Sequence, residues 1–418
     1  MKKVLILTVT AGNGHNSAAN AVKEACLNKG AEAKVVDLLH EFCDSKTYRW
    51  INEVGYGLAC QYACGIYNMF FKHYQKADAK KYYKSPVQKP LIKMYDKLLK
   101  YINDYQPDAI FCSHFYPCIM LSNLKKIYDI PAKIYSFISD YEVCPYWECA
   151  TGIDYLLVPN ESYFECMISK GFKKEQLLPY GLTVRPKFDE VLLQEEARKE
   201  LGIENKFTVF VMYGGGFWSG NYKIVKNLAK NIKHPIQIVV ANGRDEKGKK
   251  KIDKIKIPEN ITLHNYGFCK NVDVIMSAAD VLVGKAGGIS VTEALNKCLP
   301  LIAGSGLPQQ EKGNVEMLLK TKAGKQYKNK KQLIKILNEI IENPQNLTEL
   351  KENIKKTRHP NASNKVADLM IACDVEYSNV LTDFSCVNEN IKMMLKNRGI
   401  YKRGGVILSF SLICFRYN

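Results

Sequence analysis

Between Gly284 and Asn314 the chain reads GKAGGISVTEALNKCLPLIAGSGLPQQEKGN, which sets anion-binding and hydroxyl-binding residue types in close order. Ala286, Gly287 and Gly288 let the backbone approach a ligand, and a helix beginning near Ile289 and Ser290 points free N–H groups and its positive dipole end at that ligand. This is an anion site. Glu293, about one turn further in, is placed to accept two vicinal hydroxyls of a ribose. After the buried strand from Pro300 to Ala303, the polar turn Gln309, Gln310 and Glu311, together with Asn314, offers amides and a carboxylate suited to sugar hydroxyls. A second glycine turn, Gly214, Gly215 and Gly216, follows the buried strand from Phe207 to Met212 and can cradle phosphate. The order describes a nucleotide-sugar pocket.

Candidates for proton transfer lie in the first half of the chain. The run from Val4 to Val9 leads through Ala11, Gly12, Asn13 and Gly14 to His15, then into a helix with Ala18, Ala19, Val22, Ala25 and Cys26 on one side. The third glycine of a dinucleotide fingerprint and the GK[ST] of a phosphate loop are both absent. A helix start disfavours the imidazolium form, so His15 can serve as a neutral base near neutral pH, or merely cap its turn. Asp140 and His114 each follow a strand, where α/β sheets carry functional groups. For a lone aspartate there, satisfying loop backbone is the ordinary role.

The elements needed to position these residues read as two α/β series. Apolar runs at Val4–Val9, Ala33–Leu39, Ala109–Cys112, Lys133–Ile138 and Tyr155–Val158 alternate with helical or loop segments, as in a mostly parallel sheet covered on both faces. The Pro179–Pro186 stretch reads as a linker, and a fresh series begins at Phe207. We expect a first domain over 1–182, a second over 183–358, and a helix and tail over 359–418, with no pattern of elements from Asp374 onward. At 418 residues, 46% apolar and 24% charged, the chain can bury two cores. The start Met1-Lys2-Lys3 lacks a signal-peptide pattern and no apolar run approaches the ~20 residues of a membrane span, so a cytoplasmic location is expected. The fourteen cysteines lack zinc-like spacing and read as reduced, mostly buried thiols. No metal and no cofactor are expected.

The formal charge of +18 favours anionic partners. Much of it gathers in residues 45–101, where Lys72, Lys80, Lys81 and Lys84 are interleaved with Trp50, Phe70 and Phe71 among other aromatic residues. Basic plus aromatic helices fit a peripheral contact with an anionic bilayer, a grip on single-stranded nucleic acid, or a solvated insertion with an aromatic core.

With these residues in view, the chain resembles the diacylglycerol glycosyltransferases of glycosyltransferase family 28. These are the bacterial processive diacylglycerol glucosyltransferases and plant monogalactosyldiacylglycerol synthases, related to the glycosyltransferase that makes lipid II. The resemblance rests on GNGHNSAA at Gly12–Ala19, SDYEVCPYW at Ser139–Trp147, YGLTVRPKF at Tyr180–Phe188, the Gly214–Gly216 turn, and NYGFCKNVDVIMSAADVLVGKAGGISVTEA through LPQQEKGN. It implies a GT-B fold, two Rossmann-like domains facing across a cleft. It also implies an inverting, metal-independent transfer of a hexose, glucose rather than galactose, from a UDP-sugar to diacylglycerol at the inner face of the cell membrane. By position, His15 becomes the candidate base on the acceptor hydroxyl or a group orienting it, with Asp140 in reserve, while Glu293 binds ribose, Gly287, Gly288 and Ile289 the diphosphate, and Gln310 with Glu311 the sugar. The basic aromatic stretch takes the place of the family's membrane-binding region, which sets nucleic acid aside. Two positions depart from the pattern: Cys144 stands where members often have histidine, and Thr10 where plant members have aspartate. Competing expectations are galactosyl transfer, a lipid II type N-acetylglucosaminyl transfer, and a non-catalytic lipid-surface protein.

Overall fold

The computed structural model of the chain describes residues 1–11, 13–55, 69, 88–143, 145–213, 220–305, 309–377 and 381–397. Gly214, Gly215 and Gly216 lie outside the described residues, as do Phe70, Phe71, Lys72, Lys80, Lys81 and Lys84. The chain divides into two compact units. The first comprises Met1–Ser139, Val143–Pro186 and the residues from Asn361 on; the second comprises Asp140–Glu142 and Lys187–Pro360.

The first unit is built on six strands: β1 (Lys3–Thr8), β2 (Glu32–Asp37), β3 (Ala109–Cys112), β4 (Lys133–Phe137), β5 (Tyr155–Leu157) and β6 (Leu177–Leu178). They lie in the order β2-β1-β3-β4-β5-β6, and every pairing is parallel. Parallel pairing demands crossovers that cover both faces, so the inner strands are apolar throughout rather than alternating. Val4, Leu5, Ile6 and Leu7 of β1 and all four residues of β3 are accordingly buried. Helix α1 (Asn13–Asn28) follows β1 and buries Ala18, Ala19, Ala21, Val22, Ala25 and Cys26. Small side chains on that face let it pack closely, against the sheet and against the helix Ala362–Ile371. The sequence past Asp374 shows no pattern, yet the structure forms a helix over Val387–Asn397 that buries Val387, Ile391 and Leu395 in the first unit's core. Three apolar residues four apart in a polar run form one narrow stripe, which shows only once something packs against it.

The second unit repeats the plan with β7 (Thr208–Met212), β8 (Ile236–Ala241), β9 (Ile261–Tyr266), β10 (Val281–Gly284), β11 (Leu301–Gly304) and β12 (Gly324–Tyr327). The order is β12-β11-β10-β7-β8-β9, again all parallel. At Gly284 the last residue of β10 pairs with Met212 of β7, and a Cβ there would sit 2.3 Å from the Met212 carbonyl oxygen. The close approach of two backbones therefore requires glycine at this position. Of the ten described cysteines, all unpaired, five are buried, three half-buried and two exposed.

One buried ion pair ties the base of the second sheet together. Asp280 Oδ2 accepts from Arg198 Nη2 at 2.9 Å and from the Thr208 backbone N–H at 2.7 Å, while Oδ1 accepts from Gln194 Nε2 at 3.1 Å. Both charged residues are buried, so removing one leaves the other without compensation. Asp280→Ala is expected to lower the unfolding free energy of this unit by roughly 3 kcal/mol. Urea denaturation of the two proteins checks this, and an unchanged midpoint would show that the pair is dispensable.

Candidate functional site

In each sheet the crossover direction reverses once, and there two neighbouring strands send their helices to opposite sides, leaving a crevice beyond their carboxyl ends. In the first unit the reversal falls between β1 and β3, and in the second between β7 and β10. The histidines singled out above follow β1 and β3. In sequence, the two glycine runs follow β7 and β10.

His15 lies in the first turn of α1, and its Nδ1 stands 2.6 Å from the carbonyl oxygen of Ser113. A carbonyl only accepts, so Nδ1 carries the proton and Nε2 keeps a free lone pair. His114 N-caps helix α2 (Phe115–Leu124), its Nδ1 accepting the Tyr116 N–H at 3.1 Å. Its tautomer is the opposite one, with the proton on Nε2. The two rings meet edge-on with centroids 4.5 Å apart. Burial holds the His15 imidazole below its ordinary value, opposed by the bond to Ser113, and holds His114 well below, helped by the neighbouring His15. Both are neutral at physiological pH.

A chain of hydroxyls and amides fixes the loops that carry the pair. Ser113 Oγ donates to Thr8 Oγ1 at 2.8 Å, Thr8 Oγ1 to Asn16 Oδ1 at 2.9 Å, Asn16 Nδ2 to Thr10 Oγ1 at 3.0 Å, and Thr10 Oγ1 to Asp37 Oδ2 at 2.7 Å. Asp37 also accepts the Thr10 N–H and caps the helix Leu38–Phe42 through Leu39 and His40. Its part in the site was missed in the sequence, where the one available signal is a carboxylate ending a strand. Thr10, where an aspartate was expected by analogy, is hydrogen-bonded to one.

In the second unit helix α3 (Gly288–Asn296) opens with Gly287 as N-cap, which has no side chain to satisfy the first N–H groups. Gly287 has φ −71°, and a Cβ there would meet nothing within 4 Å. Neither backbone conformation nor a described neighbour demands glycine, so the space beside it is open to a bound group. Ile289 is buried, Ser290 half-buried, and Glu293 lies buried in the second turn. Just before the Gly214–Gly216 run, the Tyr213 N–H donates to Asn221 Oδ1 at 3.0 Å.

Two residues stand differently from their expected roles. Asp140, the reserve base, belongs to this unit and accepts through Oδ1 from the Gly288 N–H at 3.2 Å and from Asn314 Nδ2 at 2.9 Å. It places a carboxylate on the very helix start expected to hold a diphosphate. Asn314, expected to read sugar hydroxyls, is fully buried and spends its amide on protein: Oδ1 accepts the Tyr141 N–H at 2.6 Å, and Nδ2 donates to Asp140 and to the Ala286 carbonyl at 2.8 Å. It braces the loops around the helix start.

The expected polar turn at Gln309–Glu311 is the first turn of helix α4 (Gln309–Lys320), because Val315 and Leu318 give the segment a buried face. The Gln310 side chain lies outside the described residues. Glu311 is 5% exposed; its Oε1 pairs with Lys285 Nζ at 2.5 Å and its Oε2 has no protein partner among the described residues. Burial pushes its carboxyl up and Lys285 opposes that shift. Lys285 is a second residue missed in the sequence, since a lysine inside a glycine turn reads as solvated. Of the basic aromatic stretch, Trp50 is described, at the end of the helix Lys46–Trp50 and 43% exposed. Among the described residues no helix is long and apolar enough to cross a membrane, and no three His, Cys, Asp or Glu side chains form a metal-ligand set.

Comparison with known proteins follows the same division. A family profile described as monogalactosyldiacylglycerol (MGDG) synthase matches residues 15–184, and one described as glycosyl transferases group 1 matches residues 194–357. A processive diacylglycerol beta-glucosyltransferase of Bacillus subtilis (strain 168) is 23% identical over 373 residues, covering 88% of this chain and 94% of that protein. The protein of the same name from Bacillus cereus (strain B4264) is 24% identical over 379 residues, covering 88% and 93%. Among solved structures, Acinetobacter baumannii MurG superposes with a TM-score of 0.58 at 13% identity, over 88% of this chain and 99% of that one. Arabidopsis thaliana UGT89C1, complexed with UDP-L-rhamnose, gives a TM-score of 0.52 at 15% identity, over 88% and 98%. At such identities the superpositions speak to fold.

The histidine pair, His114 buried and His15 half-buried, gives a signed pH dependence. Both folded-state values lie below the unfolded 6.5, so the unfolded chain takes up protons first as pH falls. Their contribution to stability is complete above about pH 6.5 and is lost below it, at up to about 1 kcal/mol per pH unit for each ring. His114→Asn, which keeps a capping acceptor, is expected to lose less stability than the wild type between pH 7.5 and 5.5 in urea denaturation. Equal losses would mean that His114 takes up its proton at the same pH in the folded and unfolded chain.

Proposed function

We propose, since this chain belongs to the family of processive diacylglycerol beta-glucosyltransferases and monogalactosyldiacylglycerol synthases, that it moves glucose from a UDP-sugar to the free hydroxyl of diacylglycerol. The chain is a UDP-sugar-dependent glycosyltransferase of the GT-B fold, with two Rossmann-like domains. The reaction runs with the protein peripheral on the cytoplasmic face of the cell membrane, and its product is a glycolipid. Glucose rather than galactose is favoured by the names of the bacterial relatives.

The observation that carries this reading is the group of residues gathered after β10. A helix start whose N-cap residue has no side chain, a glycine that no described neighbour demands, and a buried Glu311 oxygen without a protein partner among the described residues stand within one short stretch and the residue paired to it. A diphosphate offers charge to the first, and a hexose offers hydroxyls to the last. Glu293 accepts the ribose hydroxyls. Lys285 opposes the upward shift that burial gives the Glu311 carboxyl.

In the transfer itself, the free Nε2 of His15 takes the proton from the lipid hydroxyl as its oxygen attacks the anomeric carbon. The bond from that carbon to the diphosphate oxygen breaks with inversion, and UDP departs with the electron pair. The N–H groups at the start of α3 receive the charge that develops on the leaving group. Since Asp140 shares the Gly288 N–H, donor binding is expected to displace its carboxylate. Trp50 and the lysines of residues 45–101 supply attraction to anionic lipid.

The test is to offer the purified protein vesicles of diacylglycerol with an anionic lipid, together with labelled UDP-glucose, UDP-galactose or UDP-N-acetylglucosamine, and to chromatograph the lipid extract. A labelled glucolipid is expected; product from another donor alone corrects the sugar, and no product from any donor overturns the reading. His15→Ala is expected to lower kcat by about 100-fold or more with UDP affinity little changed. Glu293→Ala is expected to weaken UDP binding by roughly 10-fold, read by calorimetry. Unaltered turnover or unaltered affinity, respectively, would remove each residue from its role.

A further inference from the structure

The function proposed above uses one nitrogen of the histidine pair. His114 is 6% exposed, and its Nδ1 is occupied by the Tyr116 N–H, so its proton sits on Nε2. Among the described residues nothing accepts from that N–H. The ring as a whole is buried, and that N–H is left for solvent or a ligand to complete. The same ring N-caps α2, and His15 packs against its edge, so its position is held from two sides.

The surroundings say what kind of ligand would complete it. Phe115 stacks on the ring with centroids 4.3 Å apart, Tyr116 meets it edge-on at 4.6 Å, and Tyr146 lies 5.6 Å from Phe115. Phe115 and Tyr146 are half-buried. An aromatic wall around one N–H donor fits an apolar molecule carrying a carbonyl better than a polar one. The neighbouring His15 carries the opposite tautomer, so the pair offers one acceptor and one donor from rings 4.5 Å apart. In diacylglycerol the free hydroxyl and the carbonyl of the adjacent ester are a few bonds apart, about 3 to 6 Å by covalent geometry.

We propose that the Nε2–H of His114 donates a hydrogen bond to the ester carbonyl next to the hydroxyl that is glycosylated, making the histidine pair a two-point reader of an acylated glycerol. The proposal rests on diacylglycerol being the acceptor. An ether-linked dialkylglycerol presents the same hydroxyl and the same apolar chains without that carbonyl, so it leaves the donor unpaired.

The experiment compares kcat/KM for dioleoylglycerol and its dioleyl ether analogue in the same vesicles with saturating labelled donor. The wild type is expected to prefer the ester by about 10-fold or more, because a site that leaves a buried donor unpaired discriminates strongly. His114→Asn keeps the acceptor that caps α2 but removes the distal N–H, and is expected to reduce the preference to about 2-fold, chiefly through lost activity on the ester. His114→Gln returns an amide N–H close to the Nε2 position and is expected to restore much of the preference, even with a weaker cap. A wild type that uses both lipids equally overturns the proposal without any variant, as does an Asn variant with undiminished preference. Transfer to neither lipid is a failure of the acceptor assignment itself and is distinguished by that outcome.

Discussion

Parallel strands cannot be joined by hairpins, and this requirement underlies both halves of the molecule. Each strand must be followed by a crossover helix, and where the crossovers change side, the two helices diverge and leave strand ends uncovered. The chain reaches that condition twice, at β1/β3 and at β7/β10, and its chemistry-bearing residues follow those four strands. His15 and His114 sit beyond one pair; Lys285, Gly287 and the start of α3 sit beyond the other. Carboxyl strand ends and helix amino ends coincide there, so a site for an anion and a site for a neutral base arise from the same geometry.

Within the first unit, position depends on backbone oxygens and small polar side chains rather than on opposite charges. The Ser113 carbonyl selects the His15 tautomer, and the series from Ser113 through Thr8, Asn16 and Thr10 to Asp37 joins three loops. The Ser113 carbonyl orients the His15 ring without setting a charge against it, which suits a neutral imidazole. In the second unit the logic is inverted. Glu311 is buried, and there a cation, Lys285, is held against it and opposes the upward shift of its carboxyl.

Asp140 and Asn314 show how a site can be braced by groups that look like ligands. Both carry the functional groups that bind nucleotides and sugars, and both are used to hold backbone around α3. A carboxylate on a helix start is favourable by itself. The contact thus has a physical cause within the protein and, in the function proposed, a competitor in the diphosphate.

How much was legible in the chain differs by the range of the interaction. Strands such as Val4–Leu7 and Ile238–Val240 announce themselves because burial on both faces leaves no polar position. The helix starts beside His15 and after Gly287 were likewise visible, since a helix start is set by neighbours a few positions away. The helix Val387–Asn397 was not, for its stripe of three apolar residues acquires meaning only against the first unit's core. Asn314 was misassigned and Asp37 and Lys285 were missed for a common reason: an amide, a carboxylate or an ammonium is defined by what stands opposite it. The sequence by itself determined two parallel α/β units and the kind of chemistry their loops carry, because hydrophobic runs and turn residues act locally. Tertiary structure alone decided the tautomers of the histidine pair and which polar groups are free to meet a ligand, because hydrogen-bond partners such as His15 and Ser113 are brought together across nearly a hundred residues of chain.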